Sequence, residues 1–438
     1  MAPVGSRRPR VASTYQVDIL RALLKRRLDR FAHLDMSSSE VGVSQGEQVV
    51  HWIERTLGAS GAVAWLIFSQ YTRDLQDDQS SVLTQATFSR PGSPLLNRQR
   101  GPTMKPFTYN ALPARVIFGW GTSAQVADEV KRLGCKRALV LTTPQQVETG
   151  EKIRSVLGDL AVGLYSNATM HTPINVTQEA LARAKELNVD CCVSVGGGST
   201  IGLGKALALH SPDNAKIKNI VIPTTYAGSE ATPIIGQTEN DKDGKPLKTT
   251  QKTLKVLPEV IIYDCELTLS LPPKMTVTSG LNAVAHAVEA LWAVEANPVT
   301  SSLAVQGIEA IGRSIPLITQ DPSSHDGRSD ALFGAWACGT CLGAVGMALH
   351  HKLCHTLGGS FGMPHAETHT VILPHAVAYN APYAQEAVQT VARALGVENA
   401  AQGLFDLAKN NGAPYSLKEL GFKEEDLERA ADIAAKAP

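Results

Sequence analysis

NVDCCVSVGGGST, residues 188–200, reads as a short apolar strand that runs into three glycines and then opens a helix at about residue 201. A strand that empties into glycines and restarts as a helix is the unit of a parallel sheet covered on both faces. KNIVIPTTYAGSE, residues 218–230, repeats the pattern: an apolar strand, then Pro223, Thr224 and Thr225, then a turn of small residues at Ala227, Gly228 and Ser229. Glycines at a strand's carboxyl end let a phosphate approach backbone amides, and the helix N-terminus behind them favours an anion. The spacing is not the GxGxxG fingerprint, and GGGS alone is a weak signal. Two such strand ends in one sheet point to a dinucleotide site.

Outward from these strands the same rhythm holds. Towards the N-terminus, strands are expected over 114–121, 137–143 and 160–166, and helices over 122–133, 145–157 and 177–187. Towards the C-terminus one more strand, 259–267, precedes Leu271, Pro272 and Pro273, and there the strand signal stops. Residues 275–318, 330–353 and 376–438 are rich in Ala, Leu and Val at helical spacing. The expected architecture is an α/β domain over 104–270 followed by an all-helical domain over 271–438. A cleft between two such halves is a natural active site.

The helical half carries HHKLCHTLGGSFGMPHAETH, residues 350–369, which holds five of the chain's 12 histidines. His351 and His355 are four apart and share a helix face, and Gly358 and Gly359 are expected to end that helix. Asn282 and His286 in SGLNAVAHAVEAL have the same spacing. Imidazoles so placed suit metal ligation or proton transfer near neutral pH.

Composition is that of an ordinary globular protein: 438 residues, 43% hydrophobic, 19% charged, formal net charge zero. That balance gives no chain-level signal for a nucleic-acid partner. The apolar run GAVAWLIF at 61–68 falls far short of the roughly 20 residues a membrane helix needs. The seven cysteines contain only one CxxC pair, Cys338 and Cys341, which argues against a disulfide framework or a zinc site and for a reducing compartment. Residues 1–103 differ from the rest, with no cysteine and 13 Lys and Arg against 9 Asp and Glu. Their basic opening and the amphipathic stretch 19–34 look like a transit peptide at the start, but Asp18, Asp29 and Asp35 dilute that reading. Residues 80–102 are Ser-, Gln- and Pro-rich, like a linker, so the segment is expected to be a dispensable extension or the product of a start placed too far upstream.

The ordered set GGGST, IPTTYAGSE, SGLNAVAHAVEA and HHKLCHTLGGSFGMPHAETHTVILPH resembles the iron-containing (group III) alcohol dehydrogenase superfamily. Within it the likeness is to the maleylacetate reductases, over about three quarters of the chain and not over residues 1–103. The resemblance implies a dehydroquinate synthase-like, iron-type alcohol dehydrogenase fold that stops somewhat early at its C-terminus. It implies an NAD(P)H-dependent reductase that reduces the conjugated C=C of maleylacetate to 3-oxoadipate in aromatic-compound degradation. Gly196, Gly197, Gly198, Ser199 and Thr200 would hold the pyrophosphate, and Thr224 and Thr225 would line the cofactor cleft. Where NAD-specific relatives place an Asp, this chain has Thr142 and Thr143, so NADH and NADPH are both admitted.

In metal-dependent members an Asp and three His hold a divalent ion, and the matching positions are Asn282, His286, His351 and His365. An amide at 282 removes the anionic ligand, so a metal is expected to be absent, although His286, His351 and His365 could still hold Fe²⁺ or Zn²⁺. These imidazoles would then supply hydrogen-bond donors to an enolate, with His355 delivering the proton. Tyr226 and Lys352 are candidates for a substrate carboxylate, and Lys205 matches the family pattern but also reads as a solvated helix lysine. A cytoplasmic homodimer acting on a small molecule, without nucleic acid or membrane, is the expectation. Three alternatives stay open: a metal-dependent alcohol or aldehyde dehydrogenase, a reductase of a related unsaturated or keto acid in a secondary-metabolite pathway, and a non-catalytic scaffold.

Overall fold

The computed structural model describes residues 106–436, apart from 113 and 241–245. The expectations for residues 1–103 lie outside the described residues. Residues 107–422 form one compact unit.

Six strands make a wholly parallel sheet: β1 (Arg115–Gly119), β2 (Ala138–Leu141), β3 (Ala161–Tyr165), β4 (Cys191–Gly196), β5 (Lys218–Pro223) and β8 (Val260–Asp264). Their order is β1-β8-β5-β4-β2-β3. The helices between them are α1 (Val126–Arg132), α2 (Val147–Leu157), α3 (Ile174–Glu186) and α4 (Gly198–His210). Strands covered on both faces must be apolar throughout, and every residue of β2, β4 and β8 is buried. The chain winds one way from β2 to β3 and the other way from β4 to β5. The crevice at the carboxyl ends of β2 and β4 is therefore the switch point where such sheets bind ligands.

The helix expected at residue 201 opens at Gly198, so Gly198, Ser199 and Thr200 are its first turn rather than a loop before it. An antiparallel hairpin, β6 (Ile234–Asn240) with β7 (Pro246–Lys252), lies in a stretch that the sequence reading left without elements. Its strands, IIGQTEN and PLKTTQK, are largely polar, so the apolar signal that marked the other strands is missing.

After β8 the chain is helical. α5 (Pro273–Leu291), α6 (Pro298–Gln320) and α7 (His325–Ala344) pack together, followed by α8 (Leu349–Phe361), α9 (His365–Asn380), α10 (Gln385–Leu395) and α11 (Ala400–Asn410). α5 is buried from Thr276 to Ala290 without a break, the mark of a helix at the centre of a core. Val284, Val288, Ile308, Ile311, Leu332 and Cys338 fill that core. Asn297 caps α6 by a reciprocal pair of bonds with Thr300. α8 does not stop at Gly358 and Gly359 as expected; it runs to Phe361, and Gly362 terminates it at φ 66°. Helix α12 (Leu427–Lys436) lies beyond the compact unit.

The α/β and helical halves meet through the turn that follows β5. Gly228, at φ 78°, lies against α7, where a Cβ on Gly339 would stand 2.4 Å from the Gly228 carbonyl oxygen. Only two glycines permit that approach. Among the described residues no single helix is long and apolar enough to cross a membrane; only α7 and α8 together, bent by 96°, reach that apolarity.

Candidate active site

The glycine end of the site is shaped by what is missing from it. Gly196 sits at φ 151°, and a Cβ there would stand 2.6 Å from Thr200 Oγ1 and 2.7 Å from Gln146 Oε1. A Cβ on Gly197 would meet Thr225 at 2.9 Å, while Gly198 faces open space. No side chain caps α4, so its first turn is left for an anion. Gln146, which follows β2, donates from Nε2 to Thr224 Oγ1 at 2.8 Å and so spans the crevice above Gly196. Sequence reading missed Gln146, since an amide in a polar helix start carries no signal. Thr142 and Thr200 keep buried hydroxyl oxygens without a partner. These features fit a dinucleotide phosphate at the N-terminus of α4.

Farther along α4, Gly202 and Gly204 allow the helix to lie on Thr172, Ser194 and Asn219. Lys205 is not the solvated lysine its position suggested. It is 1% exposed, and its ammonium donates to the carbonyls of Ser229, Thr232 and Ile234 and to Thr232 Oγ1. Burial pulls its pKa down to about 7. Glu230, also fully buried, accepts from Tyr263 Oη at 3.0 Å, and burial pushes its carboxyl up to about 7. Lys205 thus ties the nucleotide helix to the turn that carries Thr224 and Thr225.

That turn leads directly to the histidines. Tyr226 donates its amide to Ser279 Oγ at 2.9 Å, and the Asn282 Nδ2 stands 3.5 Å from the Ala227 carbonyl oxygen, both residues lying on α5. The phenol of Tyr226 is fully buried and accepts from Arg328 at 3.1 Å. Arg328, itself buried, also donates to the Leu271 carbonyl and Thr276 Oγ1. The Tyr226 phenol is therefore tied into the helical core through Arg328. Lys352, on α8, is partly exposed.

The histidines come from three helices: His286 from α5, His350, His351 and His355 from α8, His365 and His369 from α9. Ring centroids of His351 stand 5.0 Å from those of both His286 and His369, and 6.1 Å from His355. His365, at the exposed start of α9, lies 4.3 Å from His369 between centroids. Ring nitrogens of His350, His351 and His369 approach within 4.8 Å of one another. Of these three the sequence reading had singled out only His351. Burial and the neighbouring imidazoles hold His286, His351 and His369 well below the ordinary histidine value, which favours the neutral form of these three rings.

Glu289, which also went unremarked in the sequence, organises the cluster. From α5 its buried carboxylate accepts the amides of Ala348 at 3.0 Å and His350 at 2.9 Å, at the N-terminus of α8. It also contacts His351 Nδ1 at 2.7 Å. His350 is held structurally, with Nε2 3.0 Å from the His369 carbonyl oxygen. Five buried atoms remain without partners here: Asn282 Oδ1, His286 Nδ1, His351 Nε2 and both His369 nitrogens. Orphaned atoms gathered at one place mark a ligand pocket.

Two family models match the chain: iron-containing alcohol dehydrogenase over residues 113–265, and its C-terminal domain over 276–438. The maleylacetate reductase of Burkholderia cepacia is 52% identical over 335 residues, 76% of this chain and 93% of that protein. The chain belongs to the iron-containing alcohol dehydrogenase family. Among solved structures, the maleylacetate reductase of Agrobacterium tumefaciens is 53% identical, with a TM-score of 0.72 over 76% of this chain and 93% of that one. That of Rhizobium sp. strain MTP-10005 is 51% identical, with the same TM-score and coverage. The family fold, a parallel-sheet domain followed by helices, is the one observed, and the chain is an oxidoreductase. A divalent ion would be held by His350, His351 and His369, whose ring nitrogens lie within 4.8 Å of one another and include the unpartnered His351 Nε2 and His369 nitrogens, and it would polarise a carbonyl.

Proposed function

We propose that the protein is an NAD(P)H-dependent maleylacetate reductase. The observation that carries the reading is one continuous turn. Thr224 and Thr225 stand at the nucleotide crevice, and within four residues the chain reaches Ala227, which rests on α5, the helix that carries His286, and Gly228, which packs on α7. A nicotinamide bound through α4 would thereby face the imidazole cluster.

Hydride from the nicotinamide would add to the alkene carbon β to the ketone of maleylacetate. Charge then builds on the ketone oxygen as an enolate, and a proton on the α carbon completes 3-oxoadipate. NADH is consumed as NAD⁺, so the electrons balance. The chain's own imidazoles surround the developing oxyanion, where preorganised donors have their largest effect. His355, exposed on α8 one turn beyond His351, is positioned to deliver a proton from solvent.

Asn282 supports a metal-free reaction, since an amide leaves a divalent ion without an anionic ligand at that position. Thr142, at the end of β2, offers no carboxylate to repel a 2′-phosphate, which supports use of either cofactor. Family likeness supports a cytoplasmic homodimer in the catabolism of aromatic compounds. Gel filtration and NADH oxidation with maleylacetate, in the presence and absence of chelator, test these statements. Turnover abolished by chelator would shift the reading to the metal-dependent branch.

A further inference from the structure

We infer that Glu289 is a positioning residue that fixes the tautomer of His351, so that the ring presents a lone pair at Nε2 to the pocket. The inference rests on the reading of the histidine cluster as the reductase site. It adds a residue and a direction of hydrogen bonding that this reading does not contain.

An ionised carboxylate can only accept. Glu289 is 1% exposed and already accepts the amides of Ala348 and His350 at 3.0 and 2.9 Å. Both are unpaired donors of the first turn of α8, where negative charge is favoured. Each carboxylate oxygen thus already accepts from a helix amide, which fixes the group in place as an acceptor. Its contact of 2.7 Å with His351 Nδ1 therefore requires the proton on Nδ1. In a neutral ring that leaves Nε2 as an acceptor, and His351 Nε2 is buried without a partner.

The consequence concerns chemistry. His351 does not donate to an oxyanion in its neutral form, so that role falls to other imidazoles of the cluster. His351 instead accepts from whatever in the pocket brings a proton. The same carboxylate sets the α8 start and the polarity of the ring two residues later, so the pocket's hydrogen-bond direction is built into the helix dock.

Glu289→Gln separates this role from a merely structural one. The amide oxygen, in the place of Oε1, still accepts from His350, while the amide NH₂, in the place of Oε2, faces Nδ1 and reverses the ring to the Nε2–H form, with the Ala348 amide left without its acceptor. The probe is the ¹⁵N spectrum of the full chain labelled at histidine, with His351→Asn identifying the resonance. In the parent protein His351 should show a protonated Nδ1 and an unprotonated Nε2, and in E289Q the reverse. With NADH and maleylacetate, kcat should fall by about 10–100-fold in E289Q while the NADH Kd stays within twofold. Combining E289Q with His351→Asn should cost no more than His351→Asn alone.

A protonated Nε2 on neutral His351 in the parent protein overturns the inference without any variant having to fold. So does an unchanged tautomer in folded E289Q, or fully additive losses in the double variant. The spectra need no turnover. Absence of maleylacetate reduction with the predicted tautomers would therefore sink the proposed function and leave the role of Glu289 standing.

Discussion

The nucleotide crevice and the histidine pocket are built on opposite principles. The crevice is made of backbone and absence: three glycines, an uncapped helix start and room where a Cβ would stand. The pocket is made of side chains, with imidazoles from three helices crowded around nitrogens that have no partner in the protein. On the proposed reading, the first would bind its ligand through charge and fit, and the second would direct protons. Damage to the crevice should therefore weaken cofactor binding and leave chemistry intact, and damage to the pocket should do the reverse.

The sharpest test of that division is His355→Gln. Loss of a general acid costs about 10²–10⁴-fold in rate, so kcat should fall by at least 100-fold while the NADH Kd, read by fluorescence, stays within twofold. A parallel loss of NADH binding would break the comparison.

Acidification should act on the buried imidazoles of the pocket. His286, His351 and His369 are held well below 6.5 by burial, whereas the unfolded chain takes up protons near 6.5. The unfolded state then binds more protons below that value. Their contribution to stability is present above pH 6.5 and is lost as pH falls towards the folded values. Each such group removes about 1.4 kcal/mol per pH unit in that window. Urea denaturation at pH 7.5 and pH 5.5 should show a marked drop in midpoint at the lower pH, and equal midpoints would contradict the neutral cluster.

Gly196→Ala strikes the crevice. At φ 151° and 2.6 Å from Thr200 Oγ1, the added methyl should cost about 1–3 kcal/mol and weaken NADH by about 5- to 150-fold, with kcat at saturating cofactor little changed. The smallest expected effect is that of Asn282→Asp, which restores an anion beside His286. Metal analysis after exposure to Zn²⁺ should show higher bound metal than in the parent protein, and equal content would place the carboxylate out of reach of the imidazoles.

Much of this was legible in the sequence, for a physical reason. Parallel strands are buried on both faces and glycines stand where backbone must be bare, so β4, β5 and the start of α4 announce themselves in runs such as VSVGGGST. The hairpin β6–β7 did not, because its strands are largely polar. Buried charge was illegible too. Lys205 reads as a surface lysine until the carbonyls of Ser229, Thr232 and Ile234 are seen around it, and Glu289 reads as an ordinary helix glutamate until α8 docks on it. Histidine spacing pointed to His286, His351 and His355, and the family resemblance added His365. The partners at 350 and 369 became visible only once α8 and α9 were placed side by side.

The most direct test of the account is NADH oxidation by the full chain with freshly generated maleylacetate, in the presence and absence of EDTA. Chelator-resistant turnover is predicted, with 3-oxoadipate as product. A protein that binds NADH yet leaves maleylacetate untouched under both conditions would contradict it.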